Sequence, residues 1–107
     1  MIFSYGDGSY VEGSKKLEGL ITLGEHKVYL RTSGEDLTAT YVPLEKIDQV
    51  RLQGDRVLFH VRPTISSQYV AAFCGQGKRI KELTKDIVKR RGFKKKFLKT
   101  EWYEAYP

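Results

Sequence analysis

The sequence predicts a mainly β fold of the α+β class: an antiparallel meander or partly open barrel of six or seven strands, capped by one C-terminal amphipathic helix. Two patterns predict it. Residues 17–74 consist of short segments in which apolar residues recur at every second position, separated by turn residues. Residues 78–91 then change to a period of about 3.6 residues. A length of 107 residues suits one domain with a modest core.

Six strands are predicted in the first of these regions. They run over residues 17–23, 27–31, 37–42, 47–52, 56–62 and 68–74, with turns at 24–26, 33–36 and 53–55. The fifth strand has the clearest pattern, because Val57, Phe59 and Val61 face one way while the residues between them face the other. Pro43 follows the third strand, and so limits it to ending there or to lying at the edge of the sheet.

Residues 1–14 are expected to be an N-terminal arm or a first strand. Tyr5 to Ser9 contains two glycines, an aspartate and a serine, which favour a turn. This turn would separate the apolar pairs Ile2-Phe3 and Tyr10-Val11. The residues alone leave both alternatives open.

The helix predicted over residues 78–91 has an apolar face and a basic face. Its apolar face is formed by Ile80, Leu83, Thr84, Ile87 and Val88. Lys78, Lys81, Lys85 and Lys89 form a separate stripe, called here the lysine row. Gly92 is placed to end the helix in a left-handed conformation. We expect the apolar face to pack on the sheet, in a core that includes Val28, Leu30, Val57, Phe59, Val61, Ile80, Leu83 and Ile87.

The sequence contains no recognisable catalytic motif. Residues 75–77 read Gly-Gln-Gly, without the third glycine or the lysine and hydroxyl pair of phosphate-binding loops. His60 lies within a predicted strand, and His26 in a turn, so neither has an evident partner for acid–base chemistry. Cys74 is the single cysteine and is expected to be a small core residue. The sequence therefore predicts a protein that is not an enzyme and needs no cofactor or metal.

Basic residues are concentrated near the C-terminus. Residues 78–99 carry a net charge of +9, while the rest of the chain carries −3. Residues 92–107 add five aromatic residues, which is unusual for a disordered tail, so we expect this extension to pack on its own domain or on a partner. The candidate residues for binding a partner or an anion are Lys78, Lys81, Lys85, Lys89, Arg90, Arg91, Lys94, Lys95, Lys96, Phe97, Trp102 and Tyr103.

A meander of short antiparallel strands followed by one C-terminal helix resembles the pleckstrin-homology-like superfold, including its GRAM and bacterial branches. The resemblance covers about residues 15–91 and is carried best by residues 30–50, LRTSGEDLTATYVPLEKIDQV. In this stretch one strand ends at Pro43-Leu44, and Ile47 and Val50 begin the next. The turn at 24–26, taken as the first of the meander, contains Glu25 where phosphoinositide-binding members place several basic residues. The resemblance therefore implies a binding module, and it does not favour a site for a phosphoinositide headgroup.

Three functions are compatible with this reading. The first is a protein-interaction or scaffolding module, which would use a sheet edge or the aromatic tail. The second is peripheral binding to an anionic membrane through the basic helix and tail. The third is nucleic-acid binding through the same patch, with phosphates on the lysines and bases stacked on aromatic residues. No export signal is visible, so a cytoplasmic location is expected; the oligomeric state is left open.

Overall fold

The computed structural model describes residues 2–31, 41–92, 94–95 and 102–104. It confirms the predicted fold class, a mainly β chain with one C-terminal helix. The strands are β1 (Phe3–Glu12), β2 (Lys15–Leu23), β3 (Lys27–Arg31), β4 (Tyr41–Pro43), β5 (Ile47–Gln53), β6 (Arg56–Thr64), β7 (Ser67–Gly75), β8 (Lys94–Lys95) and β9 (Trp102–Glu104). The helix α1 spans Gly77–Arg91, and a 3₁₀ turn spans Leu44–Lys46.

All described strands pair antiparallel in one open sheet. Its order is β4-β3-β2-β1-β7-β6-β5-β9-β8, so the first strand lies between the second and the seventh. Buried residues from β1 to β7 and from α1 belong to one hydrophobic cluster. The sheet is therefore curved around a shared core, with the helix packed on it.

The first strand corrects the expected turn near the N-terminus. Residues 3–12 form one continuous strand, and the segment from Tyr5 to Ser9 lies inside it. A shift of register between Ser4 and Asp7 absorbs the irregularity, with Gly6 at φ +84°, a value that L side chains rarely adopt. The first hairpin turn of the meander is consequently at residues 13–14, followed by Lys15 and Lys16, and not at residues 24–26 as the resemblance assumed.

The described end of the passage on which the resemblance rested, residues 41–50, has the predicted form. Pro43 ends β4 at the edge of the sheet, and Ile47 begins β5. Between them Leu44 is buried, and its backbone N–H donates to the carbonyl of His26 over 2.9 Å. The turn expected at residues 33–36 and the beginning of the strand expected at 37–42 lie outside the described residues.

The predicted core is confirmed, since all eight of its residues have no exposed surface. The interior is larger than predicted and contains an aromatic group. The ring of Phe73 lies edge-to-face against Tyr10, with centroids 5.2 Å apart, and against Phe59, with centroids 5.9 Å apart. This group joins β1, β6 and β7 beneath the helix.

The helix begins and ends close to the predicted positions. Ile80, Leu83, Thr84 and Ile87 are buried, and the hydroxyl of Thr84 donates to the carbonyl of Ile80 over 2.8 Å. Burying each large aliphatic side chain contributes about 1.5–3 kcal/mol to folding. Gly92 caps the C-terminus at φ 68° and ψ 30°, and its N–H is directed at the carbonyls of the last turn, as the sequence predicts.

Candidate interaction surfaces

The lysine row lies on the side of α1 that faces away from the sheet. Lys78, Lys81, Lys85 and Lys89 are all exposed. Within the part of the chain that the structure describes, none of the four forms an ion pair or hydrogen bond through its side chain. A helix rises about 1.5 Å per residue, so neighbouring lysines are separated by about 4.5–6 Å along its axis. The row is therefore an exposed stripe of positive charge along the helix.

The two acidic residues of the helix lie on the side that faces β1. Asp86 accepts a hydrogen bond from the hydroxyl of Tyr5. Glu82 lies 3.9 Å from Arg79, measured between Oε2 and Nη1. In the described part of the chain, neither carboxylate forms an ion pair with a lysine of the row.

Arg90 and Arg91, which the sequence groups with the anion-binding candidates, are engaged by the fold. Nη1 of Arg90 donates to the carbonyl of Gly24 over 2.6 Å, and its guanidinium carbon lies 5.9 Å from the ring centre of Phe3. Nη2 of Arg91 donates to the carbonyl of Ile47 over 3.3 Å. These arginines attach the end of the helix to the β2–β3 turn and to the start of β5, so their first role is structural.

Part of the C-terminal extension continues the sheet. The backbone of Trp102, Tyr103 and Glu104 forms β9, which pairs with β5 between Gln49 and Arg51. Lys94 and Lys95 form β8 and pair with β9. Two other candidates, Lys96 and Phe97, lie outside the described residues. At β8 and β9, then, the basic and aromatic extension is paired with its own domain.

The outer face of the sheet carries an apolar cluster that the sequence analysis missed. Val11 on β1 lies opposite Ala72 on β7, and Ala72 lies opposite Leu58 on β6. Ala72 is buried but does not belong to the main core. Its neighbours in sequence, Ala71 and Phe73, point into the core, so the side chain of Ala72 points to the outer face. Val70, two residues along β7 on the same face, is 46% exposed. We call Val11, Leu58, Val70 and Ala72 the outer apolar cluster. In the sequence, the feature that could have revealed this cluster was Leu58, an apolar residue on the otherwise polar face of the strand with the clearest alternation.

A polar recess lies beside this cluster. It has a volume of about 610 Å³ and is lined by Asp7, Gly8, Ser9, Glu18, Gly19, Asp55, Cys74 and Gly75. Cys74 is half-buried at its edge, so the expectation of a core cysteine is wrong: at this position the β7 side chain points to the outer face. Neither His26 nor His60 lines the recess. Within the described ranges, no group of three or more histidine, cysteine or acidic side chains is placed to hold a metal ion.

The described residues contain no helix long and apolar enough to cross a membrane. Comparison with family models, with curated proteins and with solved structures finds no match for this chain. What the fold itself defines is a class: a mainly β domain with one curved antiparallel sheet and a C-terminal helix packed on its core.

Proposed function

We propose that this chain is a non-enzymatic protein-interaction module of pleckstrin-homology-like architecture, and that a partner protein docks on the outer apolar cluster. Support for the architecture comes from the element order, seven strands followed by a helix, and from the passage after Pro43, in which Leu44 and Ile47 are buried. Support for the docking face comes from the position of the cluster. The solvent-facing side of an antiparallel sheet is ordinarily polar, so apolar side chains in register on three adjacent strands require an explanation.

The cluster has the composition of an interface centre. Leu58 and Val11 are half-buried, and the more exposed Val70 stands beside them, with His60 opposite it on β6. Charged residues flank this centre along one strand, since Arg56 and Arg62 continue the same face of β6. An apolar centre with a polar rim is the usual anatomy of a protein–protein interface. The outer face of the sheet suits a protein partner better than a small molecule, which favours a concave pocket.

The polar recess supports the non-enzymatic part of the proposal. Its side chains are carboxylates, a hydroxyl and a thiol, and its lining contains no histidine to activate the hydroxyl or the thiol as a nucleophile. His60 lies on the outer face, between Val70 on β7 and Gln49 on β5. Cys74 is a free thiol, consistent with the cytoplasmic location that we include in the proposal.

Site-specific photo-crosslinking in cells tests the docking face. A photoreactive amino acid replaces Val70 in the full chain, and the matched control carries it at Glu25, whose side chain is 80% exposed in the turn between β2 and β3. We expect one discrete protein adduct from position 70 and none of that mass from position 25. Adding Leu58→Lys should abolish the adduct while thermal melting shows the chain still folded. An adduct that survives Leu58→Lys, or arises equally from position 25, would overturn the proposal.

A further inference from the structure

We propose that the lysine row of α1 binds the phosphate backbone of a nucleic-acid strand without reading its sequence. This surface is independent of the outer apolar cluster, which lies on the sheet. The row consists of Lys78, Lys81, Lys85 and Lys89, which are exposed and have no acidic partner in the described part of the chain. A line of unneutralised cations on a rigid helix is complementary to a line of phosphates.

The alternatives fit the row less well. A second copy of the chain is opposed by charge, because each copy carries +6. A protein interface needs a desolvated apolar or aromatic anchor, and the large exposed apolar residues among those described are Ile2, Phe3, Tyr41, Ile65 and Val70, all outside α1. Rim charges without such an anchor accelerate encounter more than they strengthen binding.

A membrane is disfavoured because two acidic residues lie close to the row around the helix axis. At about 100° per residue, Glu82 and Asp86 lie about 40° and 80° from Lys78 around the helix axis. A broad anionic surface resting on the lysines would therefore approach Glu82, whose side chain is 48% exposed. The same helix offers no exposed apolar residue to insert between lipids. A narrow phosphate strand can follow the lysines on the side away from these carboxylates.

Counterion release supplies the affinity in such a complex. Each lysine that neutralises a phosphate releases a condensed cation, so the logarithm of the binding constant falls by about 0.9 per lysine for each tenfold rise in salt. Four lysines predict a slope between about −3 and −4. Binding of this kind is insensitive to base sequence, because contacts to phosphates carry no sequence information.

The test measures binding of the full chain to a labelled double-stranded DNA of mixed sequence across a series of salt concentrations. Lys81→Gln with Lys85→Gln removes two charges from the row. Lys15→Gln with Lys16→Gln removes the same charge from exposed positions on β2. We expect the row variant to bind at least about tenfold more weakly at low salt and to lose about 2 units of slope. The control variant should stay close to wild type.

Three outcomes would overturn the proposal. The row and control variants could weaken binding equally, which would indicate a response to net charge alone. DNA binding could be absent at low salt. Vesicles of phosphatidylcholine and phosphatidylserine could bind through the row while DNA does not, which would assign the surface to membranes. None of these outcomes affects photo-crosslinking at Val70. A failure of this inference can therefore be distinguished from a failure of the proposed function.

Discussion

The hydroxyl of Tyr5, on the first strand, donates a hydrogen bond to the carboxylate of Asp86, on the helix, across 81 positions of sequence. The ring of Tyr5 is almost fully buried in the core cluster. This contact joins the N-terminal strand to the C-terminal helix. It also draws Asp86 toward the sheet and away from the lysine row.

Removing this hydroxyl should weaken the attachment of the helix. We expect Tyr5→Phe to lower the free energy of unfolding by about 1 kcal/mol, because it deletes one hydrogen bond while keeping the buried ring. Denaturant unfolding measures the change. Tyr41→Phe, at an exposed ring on β4, is the control and should be neutral. Equal stability of the two variants would show that the hydrogen bond contributes nothing.

Two buried tyrosines should make the protein sensitive to alkali. Burial raises the pKa of Tyr5 and of Tyr10 above the usual value of about 10, and their hydrogen bonds to Asp86 and Glu12 raise it further. The folded chain therefore retains protons that the unfolded chain has lost. Stability is unaffected by these groups below about pH 10 and falls as pH rises above it, by up to about 1.4 kcal/mol per pH unit for each tyrosine.

Unfolding by denaturant between neutral pH and pH 11 checks this expectation. Tyr5→Phe should lose stability less steeply than wild type above pH 10, because one of the linked protons is absent. Tyr41→Phe again serves as the control for the loss of one tyrosine hydroxyl. A Tyr5→Phe variant with an unchanged alkaline slope would contradict the assignment.

The docking of the helix on the sheet predicts a large effect at its central residue. Ile87→Asp places an unpaired carboxylate against the core and should cost several kcal/mol, measured by thermal or denaturant unfolding. Lys89→Asp, two residues further on the exposed side, makes a comparable change in solvent and should cost less than about 1 kcal/mol. Similar melting of both variants would show that α1 does not pack as described.

The close approach of β1 and β7 depends on Gly8. A Cβ atom at this position would collide with the carbonyl oxygen of Cys74 and with the side chain of Ile21. We expect Gly8→Ala to lower stability by about 1–3 kcal/mol, the usual cost of overpacking. Gly77→Ala, at the start of α1, meets only a backbone oxygen at 3.9 Å and should be neutral or stabilising. Comparing the denaturant midpoints of the Gly8→Ala and Gly77→Ala variants checks this prediction.

Arg90 should matter for stability more than its neighbour in the lysine row. Arg90→Ala removes the hydrogen bond to the Gly24 carbonyl and the contact with Phe3, and should cost about 1 kcal/mol. Lys89→Ala removes an exposed side chain and should be nearly neutral. Denaturant unfolding of both variants compares them directly. An equal loss of stability in the two variants would show that the contacts of Arg90 contribute nothing and that it behaves as an exposed surface cation.

Strand and helix faces were predictable because their signals are local. The alternation of Val57, Phe59 and Val61 and the helical spacing of Ile80, Leu83 and Ile87 identify the buried side of each element before any packing is known. The lysine row was predictable for the same reason. The turn expected at residues 5–9 was wrong because Gly6 and Asp7 favour a turn when taken alone, whereas pairing with β2 and β7 satisfies the backbone on both sides of β1, the first strand that the sequence left open as an alternative.

The sequence by itself thus determined the class of the fold, the core faces of β6 and α1, the cap at Gly92 and the existence of the lysine row, since each depends on residues close together in the chain. The tertiary structure alone decided which cations remain free: Arg90 and Arg91 are directed to the carbonyls of Gly24 and Ile47, while the lysines face solvent. It also assembled the outer apolar cluster from three strands. These side-chain contacts depend on the register of strands that are distant in sequence and on the way the helix packs across them. The local periodicity of the sequence carries no information about either.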